Sequence, residues 1–116
     1  MKYAIFVLVL LLSDIVSAGT PPIEGCRLAN LACVGEIDFI YLHPDGDVKV
    51  PPPVGYNKDD IDCTLNGGTY FSIKRSHPNF KEMYSMLLTA HAASKKMYLR
   101  YVKDSPDCEI WYTVIY

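Results

Sequence analysis

The sequence is poor in charged residues and carries no surplus of basic ones. Only 21% of its 116 residues are charged, and 13 acidic residues against 11 Lys and Arg give a formal net charge of −2. Because contacts to phosphate need an excess of Lys and Arg, this balance argues against a nucleic-acid-binding protein. Half of the residues are hydrophobic, which is too many for a disordered chain, and the length fits one domain.

The recognisable motifs of catalysis, cofactor binding and metal binding are also missing. The chain contains no GxSxG, HExxH or GxGxxG sequence and no glycine-rich phosphate loop. His43, His77 and His91 are scattered, and the four cysteines include no CxxC pair of the kind that binds zinc. These absences predict a protein that is not an enzyme and that uses neither a metal nor another cofactor.

Only one long hydrophobic run is present, and it lies at the N-terminus. Lys2 precedes an apolar run over residues 4–12, and Val16, Ser17 and Ala18 supply the small residues of a cleavage site. The run is shorter than the 20 or so residues of a transmembrane helix, although an uncleaved anchor is the alternative. We therefore expect a signal peptide over residues 1–18, cleavage near Ala18, and a secreted or periplasmic domain over residues 19–116 without a membrane span.

Cysteines are few but even in number. Cys26, Cys33, Cys63 and Cys108 all lie in the predicted mature chain. In an oxidising compartment this predicts two disulfides. Four cysteines allow three pairings, and the sequence spacing does not choose among them.

Runs rich in apolar and aromatic residues, most of them alternating and bounded by turn residues, predict five strands, of which the fifth is apolar on both faces. They cover residues 35–42, 48–50, 69–74, 97–102 and 108–116. A helix is predicted between the third and fourth strands, because Pro78 suits a first helical turn and apolar residues follow at helical spacing. That apolar stripe contains Phe80, Met83, Tyr84, Leu87, Leu88 and His91.

This order of elements is that of an OB-fold, a five-stranded Greek-key barrel. We therefore expect a mainly β (α+β) fold, an OB-fold-like five-stranded barrel with one helix between strands three and four. Strands three and five are parallel neighbours in such a barrel, which favours a Cys63–Cys108 disulfide and leaves Cys26 to pair with Cys33. The alternative is another α+β fold of a sheet and a helix, such as a cystatin-like one.

Aromatic residues are the positive feature of the composition. Nine Tyr and one Trp are present, and they concentrate in the second half of the chain. Their flat apolar rings with polar tips suit both sugar stacking and protein interfaces. The last two strands carry them on both faces, so some rings are expected outside the core as candidate contacts.

Residues 80–101 (FKEMYSMLLTAHAASKKMYLRY), with the strand before them and the Cys-bearing strand after them, resemble the B subunits of pertussis-like and subtilase-type bacterial toxins. The resemblance extends to Val34-Gly35, where that family has a Ser-Gly pair. It implies an OB-fold subunit that forms a ring of five, binds a cell-surface glycan and delivers a separate catalytic A subunit. It also implies a glycan-binding site at Val34, Gly35 and Tyr101, although Val34 lacks the hydroxyl of the family's Ser.

Two hypotheses of function follow. The first is a secreted, toxin-B-subunit-like protein that recognises a cell-surface glycan or glycoprotein as a homo-oligomer, a pentamer by the resemblance. The alternative is a monomeric secreted or periplasmic interaction module, such as an enzyme inhibitor. The mass of the mature protein in solution distinguishes them.

Overall fold

The structure, a computed structural model, describes residues 23–116, so the predicted signal peptide over residues 1–18 and its cleavage near Ala18 lie outside the described residues. Short helical turns lie at Leu28–Asn30 and Lys58–Asp60. The remaining elements, in chain order, are β1 (Gly25–Arg27), β2 (Ala32–Glu36), β3 (Tyr41–Leu42), β4 (Val48–Val50), β5 (Phe71–Ile73), α1 (Phe80–Ala92), β6 (Lys96–Tyr101) and β7 (Ile110–Ile115).

The strands form two antiparallel sheets. The larger sheet has the order β1-β2-β6-β7, and the smaller sheet has the order β3-β4-β5. Between β5 and β7 there is one isolated parallel bridge, from Ser72 to Glu109, supported by a 3.1 Å hydrogen bond from the Ser72 N–H to the Cys108 carbonyl. The structure is thus mainly β with a single helix among the described residues.

The predicted OB-like barrel is wrong. The described strands number seven rather than five, their ladders do not close into a barrel, and α1 follows the fifth strand instead of lying between the third and fourth. One cause is an N-terminal hairpin, β1-β2, which begins at Gly25, ahead of the first predicted strand over residues 35–42.

The other cause is a break in the predicted strand over residues 35–42. Its first part belongs to β2, which pairs with β6, and its last part is β3, which pairs with β4. Residues 37–40 join neither ladder, and the Ile37 carbonyl instead accepts a 3.0 Å hydrogen bond from Nδ1 of His91 on α1. A side chain of the helix thus takes the acceptor that a continuous strand would use in its ladder.

The core lies between α1 and the inner faces of the two sheets. From α1 it receives Met83, Leu87 and Ala90, which share one face of the helix. Met83 and Leu87 belong to the predicted apolar stripe, but Leu88 of that stripe is 46% exposed. The strands contribute the largest buried apolar side chains, which are Phe71, Ile73, Met97, Leu99, Tyr101 and Ile110. No helix of the part that the structure describes has the length and hydropathy needed to span a bilayer.

Both disulfides are present, Cys26–Cys33 and Cys63–Cys108, the pairing that the sequence analysis favoured. Cys26 and Cys33 are directly opposed in the β1-β2 hairpin. Cys108 lies beside the Ser72–Glu109 bridge, so its bond to Cys63 ties the loop before β5 to the start of β7. The predicted barrel is absent. The third and fifth predicted strands nevertheless make a parallel contact, which is the feature from which this pairing was predicted.

Candidate functional site

Strand β6 separates two sets of side chains. Met97, Leu99 and Tyr101 are buried on the inner face, whereas Lys96, Tyr98 and Arg100 are half-buried on the outer face. The strict alternation follows from the two-residue period of a strand. The outer face of β6 therefore presents one tyrosine between two cations to solvent.

A bulge in β7 brings a tryptophan to the same side of the molecule. Tyr112 pairs with Arg100 and Ile110 pairs with Tyr101, so Trp111 is an extra residue outside the ladder. Trp111 is 55% exposed and Tyr112 is 40% exposed. Large aromatic side chains that remain this accessible are the kind of feature that marks a binding surface.

The bulge is held in place by a histidine before α1. The backbone N–H of Asn79 donates a 2.9 Å hydrogen bond to Nδ1 of His77, which leaves Nε2 as the protonated ring nitrogen. That Nε2 lies 3.0 Å from the Trp111 carbonyl and donates to it. The backbone of Trp111 is thus anchored while its side chain stays exposed.

Four side chains on β6 and β7 form what we term the aromatic surface: Tyr98, Arg100, Trp111 and Tyr112. The rings of Tyr98 and Tyr112 stack with centroids 6.0 Å apart, and Trp111 meets Tyr112 edge-on at 5.5 Å. The guanidinium carbon of Arg100 lies 5.5 Å from the Trp111 ring centroid, within the range of a cation–π contact. These contacts fix the rings relative to one another before any ligand arrives.

Arg100 has unused hydrogen-bonding capacity. Its Nε is buried and has no hydrogen-bond partner among the residues that the structure describes. Partial burial raises the pKa of the neighbouring Tyr98 hydroxyl, and the Arg100 guanidinium works against that shift. Because this Nε is enclosed by protein, the Arg100 guanidinium can contact a ligand only through its other two nitrogens.

A polar cavity of about 340 Å³ adjoins the aromatic surface through Val34, which pairs with Tyr98 across the β2-β6 ladder. Within it, Nζ of Lys96 lies 2.7 Å from a carboxylate oxygen of Glu24, and this hydrogen bond raises the pKa of Lys96. The polar cavity is lined by Glu24, Gly25, Val34, Gly35, Glu36, Pro53, Val54 and Lys96. It offers donors and acceptors together with apolar wall surface.

The three residues predicted to bind a glycan occupy different places. Val34 and Gly35 both line the polar cavity, although Val34 is only 5% exposed. Tyr101 does not line that cavity: its side chain is fully buried and its ring stacks on Phe71 with centroids 5.8 Å apart. Its hydroxyl accepts a 2.9 Å hydrogen bond from the backbone N–H of Asp62. The structure thus brings Val34 and Gly35 together and gives Tyr101 a place in the core.

Sequence reasoning missed Arg100, Lys96 and Glu24 as site residues. The two-residue period of a strand puts Tyr98 and Arg100 on one face of β6, and this alternation was the available signal. The bulge that exposes Trp111 and the Glu24–Lys96 contact depend on the pairing of strands distant in sequence, which composition does not reveal.

A second group of aromatic residues lies at β3, and two of them, Phe39 and Tyr41, are exposed. Tyr41 contacts both His43 and Tyr70, and Phe39 meets Tyr70 edge-on at 6.1 Å. We term Phe39, Tyr41, His43 and Tyr70 the β3 cluster. It does not share a cavity with the aromatic surface, and among the described residues no group of His, Cys, Asp or Glu is arranged to hold a metal ion.

Comparison of the sequence with models of protein families and with curated proteins finds no match.

Proposed function

We propose that this protein is a secreted binding protein that recognises a cell-surface glycan or glycoprotein through the aromatic surface. The observation that carries the proposal is the exposed Trp111–Tyr112 pair beside Arg100, held in a defined arrangement by the β7 bulge. The role is binding rather than catalysis, and it needs no cofactor.

Sugar rings fit this arrangement for a physical reason. One face of many pyranose rings carries mainly C–H groups, which pack on an aromatic ring, while the hydroxyl groups project sideways and need hydrogen-bond partners. Trp111 offers the ring, and the Arg100 guanidinium beside it offers polar contacts. The polar cavity at Lys96 and Glu24 lies four residues along β6, where it can hold a neighbouring sugar of the same glycan. A site with an apolar platform and a few convergent polar groups is typical of small-ligand binding.

The location supports a surface-recognition role. The two disulfides fit an extracellular or periplasmic protein, since disulfides persist in oxidising compartments. Recognition in the manner of the toxin B subunits would have the chain act as a homo-oligomer, a ring of five, next to a separate A subunit. Several weak glycan sites in one ring would gain avidity without new contacts.

A second function is favoured by the composition of the same surface. Trp, Tyr and Arg are the residues that dominate binding energy at protein interfaces. With the β3 cluster as a further exposed aromatic area, the protein would serve as a monomeric interaction module, such as an enzyme inhibitor.

The experiment that tests the proposal uses Trp111 as a built-in probe, because it is the one tryptophan of the chain. The mature protein is sized by light scattering and applied to a glycan array, and its tryptophan fluorescence is followed during titration with the glycans that bind. Binding at the aromatic surface shifts or quenches the emission. The Tyr112→Ala variant retains Trp111 and is expected to weaken glycan binding at least tenfold.

Leu88→Ala is the matched control, since Leu88 is an exposed apolar residue on α1 away from the site. It should bind as the wild type does. A monomer that captures no glycan would refute the glycan-binding proposal and favour the interaction module. Glycan binding that is unchanged in Tyr112→Ala would refute the assignment to this surface.

A further inference from the structure

The turn before β5 contains an asparagine followed by a glycine. Asn66 and Tyr70 form a bridge across this turn: the Asn66 N–H donates to the Tyr70 carbonyl at 2.8 Å, and the Tyr70 N–H donates to the Asn66 carbonyl at 3.1 Å. Gly67 lies inside the turn with a φ of +60°, which glycine adopts without strain. The turn therefore presents an Asn-Gly pair while its two ends are held together.

The backbone nitrogen of Gly67 is accessible. Its N–H has no hydrogen-bond partner among the residues that the structure describes, and Gly67 is exposed. Apart from its two neighbours in sequence, no described heavy atom lies within 4 Å of the position that a Cβ of Gly67 would occupy. The space beside this nitrogen is thus open to the Asn66 side chain and to water.

The Asn66 carboxamide is held by one contact. Its Nδ2 donates a 3.0 Å hydrogen bond to a carboxylate oxygen of Asp107, and within the described part of the chain its Oδ1 accepts none. Asn66 is only partly buried, so water can replace this hydrogen bond when the side chain turns away. Rotation about the Cα–Cβ bond can then bring Cγ to the Gly67 nitrogen, since the two atoms close a five-membered ring.

We infer that Asn66 is a site of spontaneous deamidation in the folded protein, with water as the co-reactant. The Gly67 nitrogen bonds to Asn66 Cγ, the Cγ–Nδ2 bond breaks, and ammonia leaves with the proton of the Gly67 N–H. Water then opens the cyclic imide at one of its two carbonyl carbons. Opening at Cγ gives aspartate, and opening at the backbone carbonyl gives isoaspartate, whose chain continues through Cγ with one more backbone atom.

Either product changes the contacts of this turn. A carboxylate at position 66 would face the Asp107 carboxylate, and the two negative charges would share the Lys74 ammonium that pairs with Asp107. The extra backbone atom of isoaspartate would also disturb the bridge from Asn66 to Tyr70. Because Tyr70 belongs to the β3 cluster, the modification would reach that exposed aromatic area.

The test incubates the mature protein at neutral to mildly alkaline pH and follows each asparagine by peptide mass spectrometry. Deamidation replaces NH2 by OH, so the peptide gains one unit of mass, and an isoaspartyl methyltransferase labels the isoaspartate product. Asn57 is the internal control, because it is exposed at a helical turn but is followed by Lys58, whose side chain hinders the attack. Asn66 should convert at least about tenfold faster than Asn57, since glycine has no Cβ that obstructs the attack.

The reduced and unfolded chain is incubated in parallel until its Asn66 has converted. A folded protein in which Asn66 stays intact over that time, or converts no faster than Asn57, would overturn the inference. Asn66→Gln is the matched variant, because its longer side chain must close a less favourable six-membered ring. It should stay unmodified at this position.

The effect of the new charge is tested separately with Asn66→Asp, which reproduces the aspartate product. It should lower the melting temperature by a few degrees, and the same substitution should lower it less in an Asp107→Asn background, where the facing carboxylate is gone. Equal shifts in the two backgrounds would overturn the predicted repulsion, whereas the rate of conversion decides the modification site by itself.

Discussion

Tyr98 and Tyr101 lie three residues apart in β6, and they differ in almost every respect. Tyr101 is buried against Phe71, and its hydroxyl is satisfied by the Asp62 N–H. Tyr98 is half-buried on the outer face, and it stacks on the exposed ring of Tyr112. Both residues are tyrosines, so the difference comes entirely from the face of β6 on which each side chain lies.

This contrast shows how one strand contributes both to the core and to the candidate binding surface. The inner face of β6 supplies core packing, whereas the outer face carries Tyr98, whose ring contacts the exposed ring of Tyr112 on β7. A single strand therefore connects the core directly to the candidate site. Mutations on the two faces are expected to separate stability from binding.

The largest expected effect is that of Tyr101→Ala. Removing a buried aromatic ring costs about 3–5 kcal/mol, and the Asp62 N–H also loses its partner. Tyr98→Ala should cost about 1 kcal/mol, because it loses one stacked pair at a half-exposed position. Urea unfolding of both variants measures the two values, and equal losses would break the distinction between the faces.

The next prediction compares how much each of the two disulfides stabilises the folded protein. In the chain-entropy treatment, Cys63–Cys108, with a separation of 45 residues, contributes about 4 kcal/mol, and Cys26–Cys33, with a separation of 7, contributes about 2.5 kcal/mol. Replacing Cys63 and Cys108 by alanine should therefore lower the free energy of unfolding more than replacing Cys26 and Cys33 does. Thermal melting of the two double variants gives the order, and a greater loss from the Cys26–Cys33 pair would show that strand pairing at β1, rather than loop closure, sets the stability.

Much of the fold could be predicted from local pattern, and the failures share one cause. The helix and the alternation in β6 follow from apolar spacing within a dozen residues, so they were predictable. The break at residues 37–40 depends on His91, which lies 54 positions away from Ile37, and no local pattern reports it. The bulge at Trp111 likewise arises from the register between β6 and β7.

Within the candidate site, too, local alternation was predictable and contacts between strands were not. The two-residue period of a strand puts Tyr101 on the same face as Met97, whereas the resemblance to toxin B subunits assigns Tyr101 to a ligand. In the structure Tyr101 is a buried residue of the inner face, as the alternation indicates. Arg100 belongs to the outer face by the same alternation, yet its contact with Trp111 needed the three-dimensional pairing.

A smaller effect is expected for Gly35→Ala, which tests whether this residue of the polar cavity acts through packing. A Cβ at Gly35 would lie 2.6 Å from Cβ of Pro53, closer than two carbon atoms can approach. Overpacking of this kind costs about 1–3 kcal/mol. A second variant, Gly35→Ala with Pro53→Gly, removes the opposing atom. If chemical denaturation shows no loss in the single variant, the close approach of β2 to Pro53 does not constrain the fold.

The smallest effect concerns a polar contact outside the core, between Asp107 and Lys74. The Lys74 ammonium and the Asn66 amide both donate hydrogen bonds to the Asp107 carboxylate, which lowers the pKa of Asp107, chiefly through Lys74. The same contact raises the pKa of Lys74. Because both side chains are partly exposed, Asp107→Asn should cost less than about 1 kcal/mol at neutral pH.

The sign of its pH dependence follows from the lowered pKa. A carboxyl group whose pKa is lower in the folded state stabilises that state above its unfolded pKa of about 3.9, and the contribution disappears as pH falls through the folded pKa. The stability difference between wild type and Asp107→Asn should therefore be constant from about pH 5 to pH 8 and shrink below about pH 4. A difference that persists at low pH would mean that the shape of the Asp107 side chain, and not its charge, supports the loop before Cys108.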